Sequence, residues 1–339
     1  EPRIDFSNDA KGALLLEPTR TNNLLQSNQF DTTWSASNAS TTSGQIGVGG
    51  SLDAWKLESS GSSASFIFQG ISTSVVTTRS IYAKAGSVNW FSINSGGSQA
   101  AYFDLSNGVV GTKSSNIIDA TMESVGDGWY RCSVEIDSQS NFYVFIANAD
   151  NSQSSNNGDS IYIQYAQLEQ GSYATSYIPT QGSAVTRSAD ACNNAGNEQV
   201  INSTEGVLYA EFKNTDTSNY KLMSISDGTG NNRVFVGTRL NTGYIYYFVV
   251  AGGTTQASYI STQLADNFTK VAVKFKANDF SFWINGLKVS TDLSGSVPIG
   301  LNVIQFNGGS GTLDFNGNCK DLRVYNTALT DAELIALTK

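Results

Sequence analysis

Short segments in which apolar and polar residues alternate recur along the whole chain. Residues 161–169 and residues 268–276 both read this way, and a period of two is typical of a β-strand that buries one face. Turn residues separate such segments, and the Asn285-Gly286 pair tolerates the positive φ angles of a tight hairpin. A fixed sequence period, which a β-helix would need, is absent. The pattern predicts an all-β fold of antiparallel strands.

One segment near the C-terminus favours a helix instead. Thr330 to Glu333 form the capping box of a helix N-terminus, and apolar residues follow at Leu334, Ile335 and Leu337. About two turns of helix are marginally stable alone. We therefore expect a single short C-terminal helix that docks on a β-sandwich.

The stretch from residue 166 to residue 190 divides the chain. Gly171 ends the strand before it, and Pro179, Gly182 and many small polar residues favour a connection over a surface. A chain of 339 residues is long enough for two domains. We expect an N-terminal segment at residues 1–23, one β-sandwich at residues 24–187 and a second at residues 188–339.

The chain carries little charge, and the balance is acidic. Charged residues make up 14% of it and the net charge is −9, so its field repels nucleic acid and anionic membrane surfaces. No apolar run is long enough to span a bilayer. We expect neither nucleic-acid binding nor membrane insertion. Because the first residue is Glu1 rather than Met, we expect the chain to be cut from the C-terminal part of a longer protein, or to be a trimmed secreted protein.

Histidine is absent, and there are three cysteines. The absence of histidine removes the commonest general base, the commonest zinc ligand and every Ser-His or Cys-His pair. Cys132 shares a strand face with apolar residues, which predicts a buried, inert thiol. Cys192 and Cys319 flank the second domain; they could form a disulfide if the first and last strands are neighbours, and are otherwise ordinary thiols.

Two carboxylates on one strand face, Glu135 and Asp137, come nearest to a catalytic motif. Their spacing resembles the start of the E-x-D-x-x-E signature of concanavalin-like glycoside hydrolases, but position 140 is Ser140. A glycosidase needs two carboxylates held across the sugar bond. A lyase that uses Tyr with Arg or Lys stays chemically possible, but no spacing in the sequence indicates one. We therefore predict that the chain is not an enzyme.

Loops rich in hard oxygen donors could hold calcium. The candidate ligands are Asp150, Asn156, Asp159 and Asp227, because calcium accepts carboxylate, amide and carbonyl oxygens in loose geometry. The alternative is that Asn, Asp and Gly are simply the residues that turns require. We predict no required cofactor, and a structural calcium ion stays open.

Aromatic residues on outward-facing strand positions are the candidates for sugar contact. Tyr82 and Lys84 face away from the apolar positions of their strand, and Trp90 is expected at the following turn. Tyr244 and Tyr246 belong to an aromatic row in the second domain. A sugar ring stacks on such flat apolar faces. The alternative is that sheet packing or neighbouring subunits bury these rings.

Four stretches of the sequence carry a resemblance to a known family. They are residues 2–25, 126–133, 166–190 and 321–337, the last of which reads DLRVYNTALTDAELIAL. In these stretches the chain resembles bacteriophage tail-fibre and virion-associated proteins. Those proteins join a jelly-roll module, similar to carbohydrate-binding modules, to a concanavalin A-like, laminin-G-like module.

The resemblance implies both a fold and a role. The fold would be a jelly-roll β-sandwich followed by a concanavalin A-like, laminin-G-like β-sandwich. The role would be non-enzymatic glycan binding or adhesion by a phage tail fibre or virion appendage, at the virion surface or outside the cell. The partners would be a bacterial surface polysaccharide or other glycan and other fibre or virion subunits, and we expect a homo-oligomer. Two other roles stay open: a structural filament or decoration subunit without glycan binding, and the accessory domains of a secreted polysaccharide-degrading enzyme.

Overall fold

The computed structural model describes residues 3–7, 10–71, 75–96, 99–137 and 141–339. The chain forms two compact units. One, the continuous unit, spans Thr19–Ser188. The other, the split unit, joins the N-terminal residues up to Pro18 to Ala189–Lys339.

The first two strands belong to the split unit, and the continuous unit follows them. The split unit begins with β1 (Arg3–Asp5) and β2 (Ala13–Leu16). The strands of the continuous unit are β3 (Arg20–Asn22), β4 (Ser35–Ser37), β5 (Ala39–Gln45), β6 (Ala54–Ser59), β7 (Ser65–Gln69), β8 (Thr77–Ala85), β9 (Trp90–Gly96), β10 (Gln99–Asp104), β11 (Val109–Lys113), β12 (Ile117–Gly126), β13 (Trp129–Ile136), β14 (Phe142–Ala147), β15 (Ser160–Gln170) and β16 (Val185–Arg187). A 3-10 turn lies at Val48–Gly50.

Two antiparallel six-stranded sheets enclose the core of the continuous unit. Within the described residues their strand orders are β11-β10-β9-β14-β7-β4 and β12-β13-β8-β15-β6-β5, and β3 pairs separately with β16. Alternating side chains from both sheets, among them Ile81, Phe91, Phe142 and Ile163, are fully buried between them. The β-sandwich that the alternation predicts is therefore present.

The split unit resumes after the continuous unit and ends in a helix. Its further strands are β17 (Glu205–Asn214), β18 (Lys221–Ser226), β19 (Arg233–Thr238), β20 (Tyr244–Ala251), β21 (Thr254–Leu264), β22 (Thr269–Lys276), β23 (Phe280–Ile284), β24 (Leu287–Asp292), β25 (Val303–Gln305) and β26 (Gly317–Tyr325), followed by α1 (Asp331–Thr338). They form a seven-stranded sheet, β1-β2-β26-β17-β22-β23-β24, and a five-stranded sheet, β21-β20-β19-β18-β25. The core lies between these sheets.

The helix α1 confirms the capping box. Thr330 accepts a hydrogen bond from the backbone of Glu333, and the Glu333 carboxylate accepts one from the backbone of Thr330 (2.8 Å). Leu334 is buried against Val207 and Trp283 of the seven-stranded sheet. Among the described residues α1 is the one α-helix, so the all-β prediction with a short C-terminal helix is confirmed. No helix in this part of the chain is long and apolar enough to cross a membrane.

The N-terminal segment is shared between the two units. Leu14 of β2 pairs with Cys319 of β26, which adds β2 to the edge of the seven-stranded sheet. Arg20 of β3 pairs instead with Arg187 of β16 in the continuous unit. Backbone groups at sheet edges favour pairing, whereas alternation alone does not show which edge a short strand joins. The domain boundaries near residues 23 and 187 stay a prediction.

Candidate functional site

An aromatic cluster covers the outer face of the five-stranded sheet in the split unit. Along β19 and β20 the side chains alternate, so that Val234 and Ile245 enter the core while Phe235, Tyr246 and Phe248 lie on the opposite face. The rings of Phe235 and Phe248 are stacked, with centroids 5.3 Å apart and an interplanar angle of 9°. Tyr246 meets Phe248 edge to face at 5.7 Å. The result is a flat apolar surface between neighbouring strands.

A groove of about 420 Å³ lies over this cluster. We call it the arginine groove, because Arg233 and Arg239 line it together with the aromatic rings. Gly237 lies between these arginines along β19, and a Cβ there would collide with the carbonyl oxygen of Lys221. Only glycine lets β18 and β19 approach this closely, and it adds no side chain to the floor. The full lining is Tyr220, Leu222, Gly230, Asn231, Arg233, Phe235, Arg239, Tyr246, Phe248, Val250, Gly253, Thr255, Ile260 and Leu313.

Arg233 is a half-buried cation without a carboxylate partner among the described residues. Its guanidinium carbon lies 4.9 Å from the centroid of the Phe235 ring, and Nη1 donates to the carbonyl oxygen of Gly308. Nε is buried and has no hydrogen-bond partner in the structure. Burial lowers the pKa of Arg233, but an arginine remains charged at neutral pH. The groove therefore presents positive charge within a chain of net charge −9.

Tyr246 supplies a protonated hydroxyl at the floor of the groove. Burial raises the pKa of Tyr246 above its usual value of 10.0; Tyr220 adds to the rise, and Arg233 and Arg239 oppose it. The phenol therefore stays neutral at physiological pH and can both donate and accept a hydrogen bond. Together the groove offers ring faces, guanidinium donors and a hydroxyl, and none of its lining residues carries a carboxylate.

The sequence predicted Tyr244 and Tyr246 as sugar contacts, and one of them lies in the groove. Tyr246 forms part of the floor, whereas Tyr244, on the same face of β20, does not belong to the lining and pairs with Leu264 of the edge strand. Alternation indicated the correct face of β20. It gave no sign of Arg233 and Phe235, which come from β19, because the sequence does not show which strands are neighbours.

The other predicted sugar contacts are separated in the structure. Tyr82 and Lys84 belong to β8 in one sheet of the continuous unit, and Trp90 belongs to β9 in the other sheet. The prediction that Trp90 lies in a turn is wrong, because it begins β9 and packs against Ala100 and Tyr102. The turn residues that indicated a loop end one position earlier. These three residues cannot form one site as a group.

Tyr82 instead borders a second aromatic groove, of about 750 Å³, in the continuous unit. We call it the tyrosine groove, because Tyr165 and Tyr177 line it with their rings stacked at 4.6 Å. The Tyr82 ring meets that of Tyr165 edge to face at 5.6 Å. The Tyr165 hydroxyl donates to Asp53 (2.7 Å).

Tyr165 has a φ angle of 53° at a β-bulge in β15. A positive φ is rare for a bulky residue. The buried positions of β15 shift from Ile161 and Ile163 to Ala166 and Leu168, so the regular alternation predicted for residues 161–169 is wrong at the bulge. The change of parity was the signal in the sequence, because a bulge inserts one extra residue.

The three carboxylates predicted as calcium ligands accept hydrogen bonds within the protein. Asp150 accepts from the backbone (2.8 Å) and hydroxyl (2.9 Å) of Thr112, and Asp159 accepts from the backbone of Asn156 (2.6 Å). Asp227 accepts from the backbone of Thr229 (2.8 Å) and from the side chain of Asn232 (2.9 Å). Burial favours the neutral form of Asp227, but these hydrogen bonds outweigh it and lower its pKa. Within the described ranges no three His, Cys, Asp or Glu residues converge on a metal position, and the calcium site stays a prediction.

The cysteines are free thiols in the structure. Cys132 is fully buried, and burial raises its pKa well above 9.0, so it carries no reactive thiolate. Cys192 is exposed and Cys319 is buried, and burial raises the pKa of Cys319 to about 12. The predicted disulfide between them stays a prediction. Glu135 has a raised pKa through burial and the nearby charge of Asp119; Ser140 lies outside the described residues.

Comparison with known families finds one match. Residues 196–335 match the model of the concanavalin A-like lectin/glucanase superfamily, of the laminin G type. The match covers less than half of the chain, and it includes every strand that contributes to the arginine groove. No curated protein sequence matches the chain.

Solved structures are similar at low identity, and three of them serve as examples. A candidate carbohydrate-binding protein from Bacteroides ovatus ATCC 8483 is 10% identical, with 88% of this chain and 79% of that chain covered and a TM-score of 0.30. Domains LG4-5 of the mouse laminin α1 chain are 11% identical, with 97% and 95% covered and a TM-score of 0.29. A tail fibre protein, gp63.1, of an Escherichia coli phage is 8% identical, with 90% and 40% covered and a TM-score of 0.25. TM-scores this low transfer neither fold nor role, so the conclusion depends on the family match alone: residues 196–335 have a concanavalin-like lectin fold.

Proposed function

We propose that this protein is a non-enzymatic glycan-binding module and that the arginine groove holds the saccharide. The observation that carries the proposal is the joint presence of exposed ring surface and guanidinium donors in a groove within the concanavalin-like region. Ligand sites of this kind combine an apolar surface with a few placed polar groups.

The floor suits the face of a sugar ring. Phe248 and Tyr220 are half-buried, so part of each ring remains open to a ligand. The C–H face of a pyranose is apolar and gains by covering such a ring. Its hydroxyls then meet the hydroxyl of Tyr246, the amide of Asn231 and the two guanidinium groups. These contacts would orient the sugar without moving the sheet.

The groove supports binding better than bond cleavage. Glycoside hydrolysis requires two carboxylates on either side of the scissile bond, and the lining contains neither Asp nor Glu. Asp227 has its oxygens engaged by turn residues, and Asp314, which follows Leu313 of the lining, is a single acid rather than a pair. We therefore propose that the protein binds and releases the saccharide without cleaving it.

The biological setting is a proposal drawn from the sequence resemblance. It comprises a bacterial surface polysaccharide as the ligand, a place on a virion surface or outside the cell, and assembly with fibre subunits as a homo-oligomer. Weak single sites become effective when several copies are displayed together. This makes an assembly the natural setting for a shallow groove.

A structural role without glycan binding is the second candidate, and one surface favours it. Phe66, Phe68, Tyr143 and Phe145 form an aromatic plate on the outer face of one sheet of the continuous unit, with the Phe68 and Tyr143 rings stacked at 4.8 Å. In a filament subunit such a plate would contact a neighbouring copy.

The test is a glycan array followed by calorimetric titration of the full chain. We expect Phe248→Ala to weaken binding about tenfold, because it removes a stacking surface worth about 1 kcal/mol or more. The matched control is Phe68→Ala, which removes an equally half-buried ring from the aromatic plate and should leave the affinity unchanged. Loss of binding in the control but not in Phe248→Ala would move the site to the plate. Release of reducing or unsaturated ends by the chain alone would contradict the non-enzymatic claim.

A further inference from the structure

The two arginines of the arginine groove differ from the other arginines of the split unit. Arg3 pairs with Glu17 and Asp190, and Arg323 pairs with Asp321. Arg233 and Arg239 have no carboxylate partner within the described residues. Arg233 is moreover half-buried, and a cation that is taken out of water without an acidic partner requires an explanation.

Of the two arginines, Arg233 is the one whose burial favours pairing with an anion. Charged groups removed from water are usually paired, because desolvation of a lone charge is costly. The Phe235 ring covers one face of the guanidinium, and Nη1 donates a hydrogen bond to the carbonyl oxygen of Gly308. Nε, a donor in the plane of the group, is buried and has no partner. A guanidinium offers its in-plane donors to carboxylates in pairs, so this edge lacks the partner that its geometry favours.

Stacking of Arg233 on an aromatic ring does not by itself explain why Arg233 and Arg239 both line the groove. Stacking on a ring contributes about 0.5 to 2 kcal/mol and uses none of the N–H donors. It also does not explain Arg239, an exposed side chain that lines the same groove. Two cations beside one apolar floor, with no acid in the lining, are complementary to a ligand that has both a ring and a negative charge.

We infer that the arginine groove selects acidic saccharides, in which a uronic-acid carboxylate pairs with the guanidinium of Arg233 while Arg239 and the rings hold the rest of the sugar. This inference rests on the proposed function and adds the class of ligand. The net charge of −9 gives the chain no general attraction for anions. The preference must therefore come from short-range pairing inside the groove.

The test compares acidic oligosaccharides with their own neutral forms. The full chain is titrated with short galacturonate, glucuronate and mannuronate oligomers and with the same oligomers after reduction of the carboxyl groups. Because a charge-assisted hydrogen bond exceeds a neutral one by about 1 kcal/mol or more, we expect at least one acidic oligomer to bind tenfold or more tightly than its reduced form. Arg233→Gln should remove that difference, and Arg233→Lys should keep part of it.

A control variant and the possible contrary outcomes distinguish a failure of this inference from a failure of the proposed function. Arg323→Gln removes an ion-paired arginine outside the groove and should preserve the preference for acid. Equal binding of acidic and reduced oligomers, or a preference that survives Arg233→Gln in a protein with unchanged thermal unfolding, would overturn the inference and leave glycan binding intact. If neither the oligomers nor any glycan of the array binds, both the inference and the proposed function fail.

Discussion

The arginine groove and the tyrosine groove are both lined by aromatic rings, but their polar groups are used differently. In the tyrosine groove Asp53 accepts hydrogen bonds from Gln164 (2.5 Å) and Tyr165 (2.7 Å), and the hydroxyl of Tyr177 bonds to Ser27 (2.5 Å). In the arginine groove the Nε donor of Arg233 is unused. Rings in a groove therefore do not by themselves identify a ligand site. A groove that combines rings with a donor the fold leaves unpaired is the better candidate, because a buried polar group without a partner is unfavourable.

Glu169, a buried charge of the continuous unit, also contrasts with Arg233. Glu169 is fully buried, and its carboxylate accepts from the backbone (2.7 Å) and hydroxyl (2.6 Å) of Thr175 and from the side chain of Gln167 (2.7 Å). These bonds fix the segment after β15 against the sheet. Glu169 thus supports the fold, whereas Arg233 is available to a ligand.

Substitution of Glu169 should have the largest effect on stability. We expect Glu169→Ala to lower the free energy of unfolding by about 3 to 5 kcal/mol, because it leaves the donors of Thr175 and Gln167 buried and unpaired. Arg233→Gln should lower it by no more than about 2 kcal/mol, because it removes only the contact with the Phe235 ring and the hydrogen bond to Gly308. Urea unfolding followed by fluorescence measures both. Equal losses of unfolding free energy in the two variants would show that Arg233 stabilises the fold as much as Glu169 does, which would contradict the contrast.

A smaller loss is expected at the tyrosine groove. Asp53→Ala removes the acceptor of Gln164 and Tyr165, which should lower the free energy of unfolding by about 1 to 3 kcal/mol. The affinity for saccharides should stay the same, because Asp53 does not line the arginine groove. Titration of the variant with the best ligand of the array decides the point: a weakened affinity would assign the ligand to the tyrosine groove.

The pH dependence of stability should show the smallest effect. Burial raises the pKa of Tyr165 and of Tyr177 to about 12, and Asp53 adds to both rises. Since the unfolded tyrosines ionise near 10.0, the folded state holds more protons between pH 10 and 12, and its stability falls as the pH rises through this range. Tyr177→Phe should make the fall less steep in urea unfolding at several pH values. An unchanged slope would show that Tyr177 titrates normally in the folded protein.

Local patterns in the sequence indicated much of the fold. The Asn285-Gly286 pair has φ angles of 46° and 82° in the hairpin between β23 and β24, as the turn chemistry predicts. The capping box at Thr330 likewise begins α1. Both features depend on residues that are close in sequence, so the chain specifies them without tertiary information.

The candidate site was less predictable, because it depends on pairing between strands and between charges. Tyr246 was found from alternation along its own strand, but Phe235 and Arg233 reach the groove through the pairing of β19 with β20. Whether an arginine has an acidic partner is likewise a property of the folded chain. The strain at Tyr165 could have been suspected from the shift in buried positions along β15.

A crystal structure of the full chain with a bound acidic oligosaccharide tests the central claim most directly. We expect a sugar ring over Phe248 and a carboxylate within hydrogen-bond distance of the guanidinium of Arg233, with the tyrosine groove empty. A ligand seated against Tyr165 and Tyr177, or on the aromatic plate, with the arginine groove unoccupied, would contradict it.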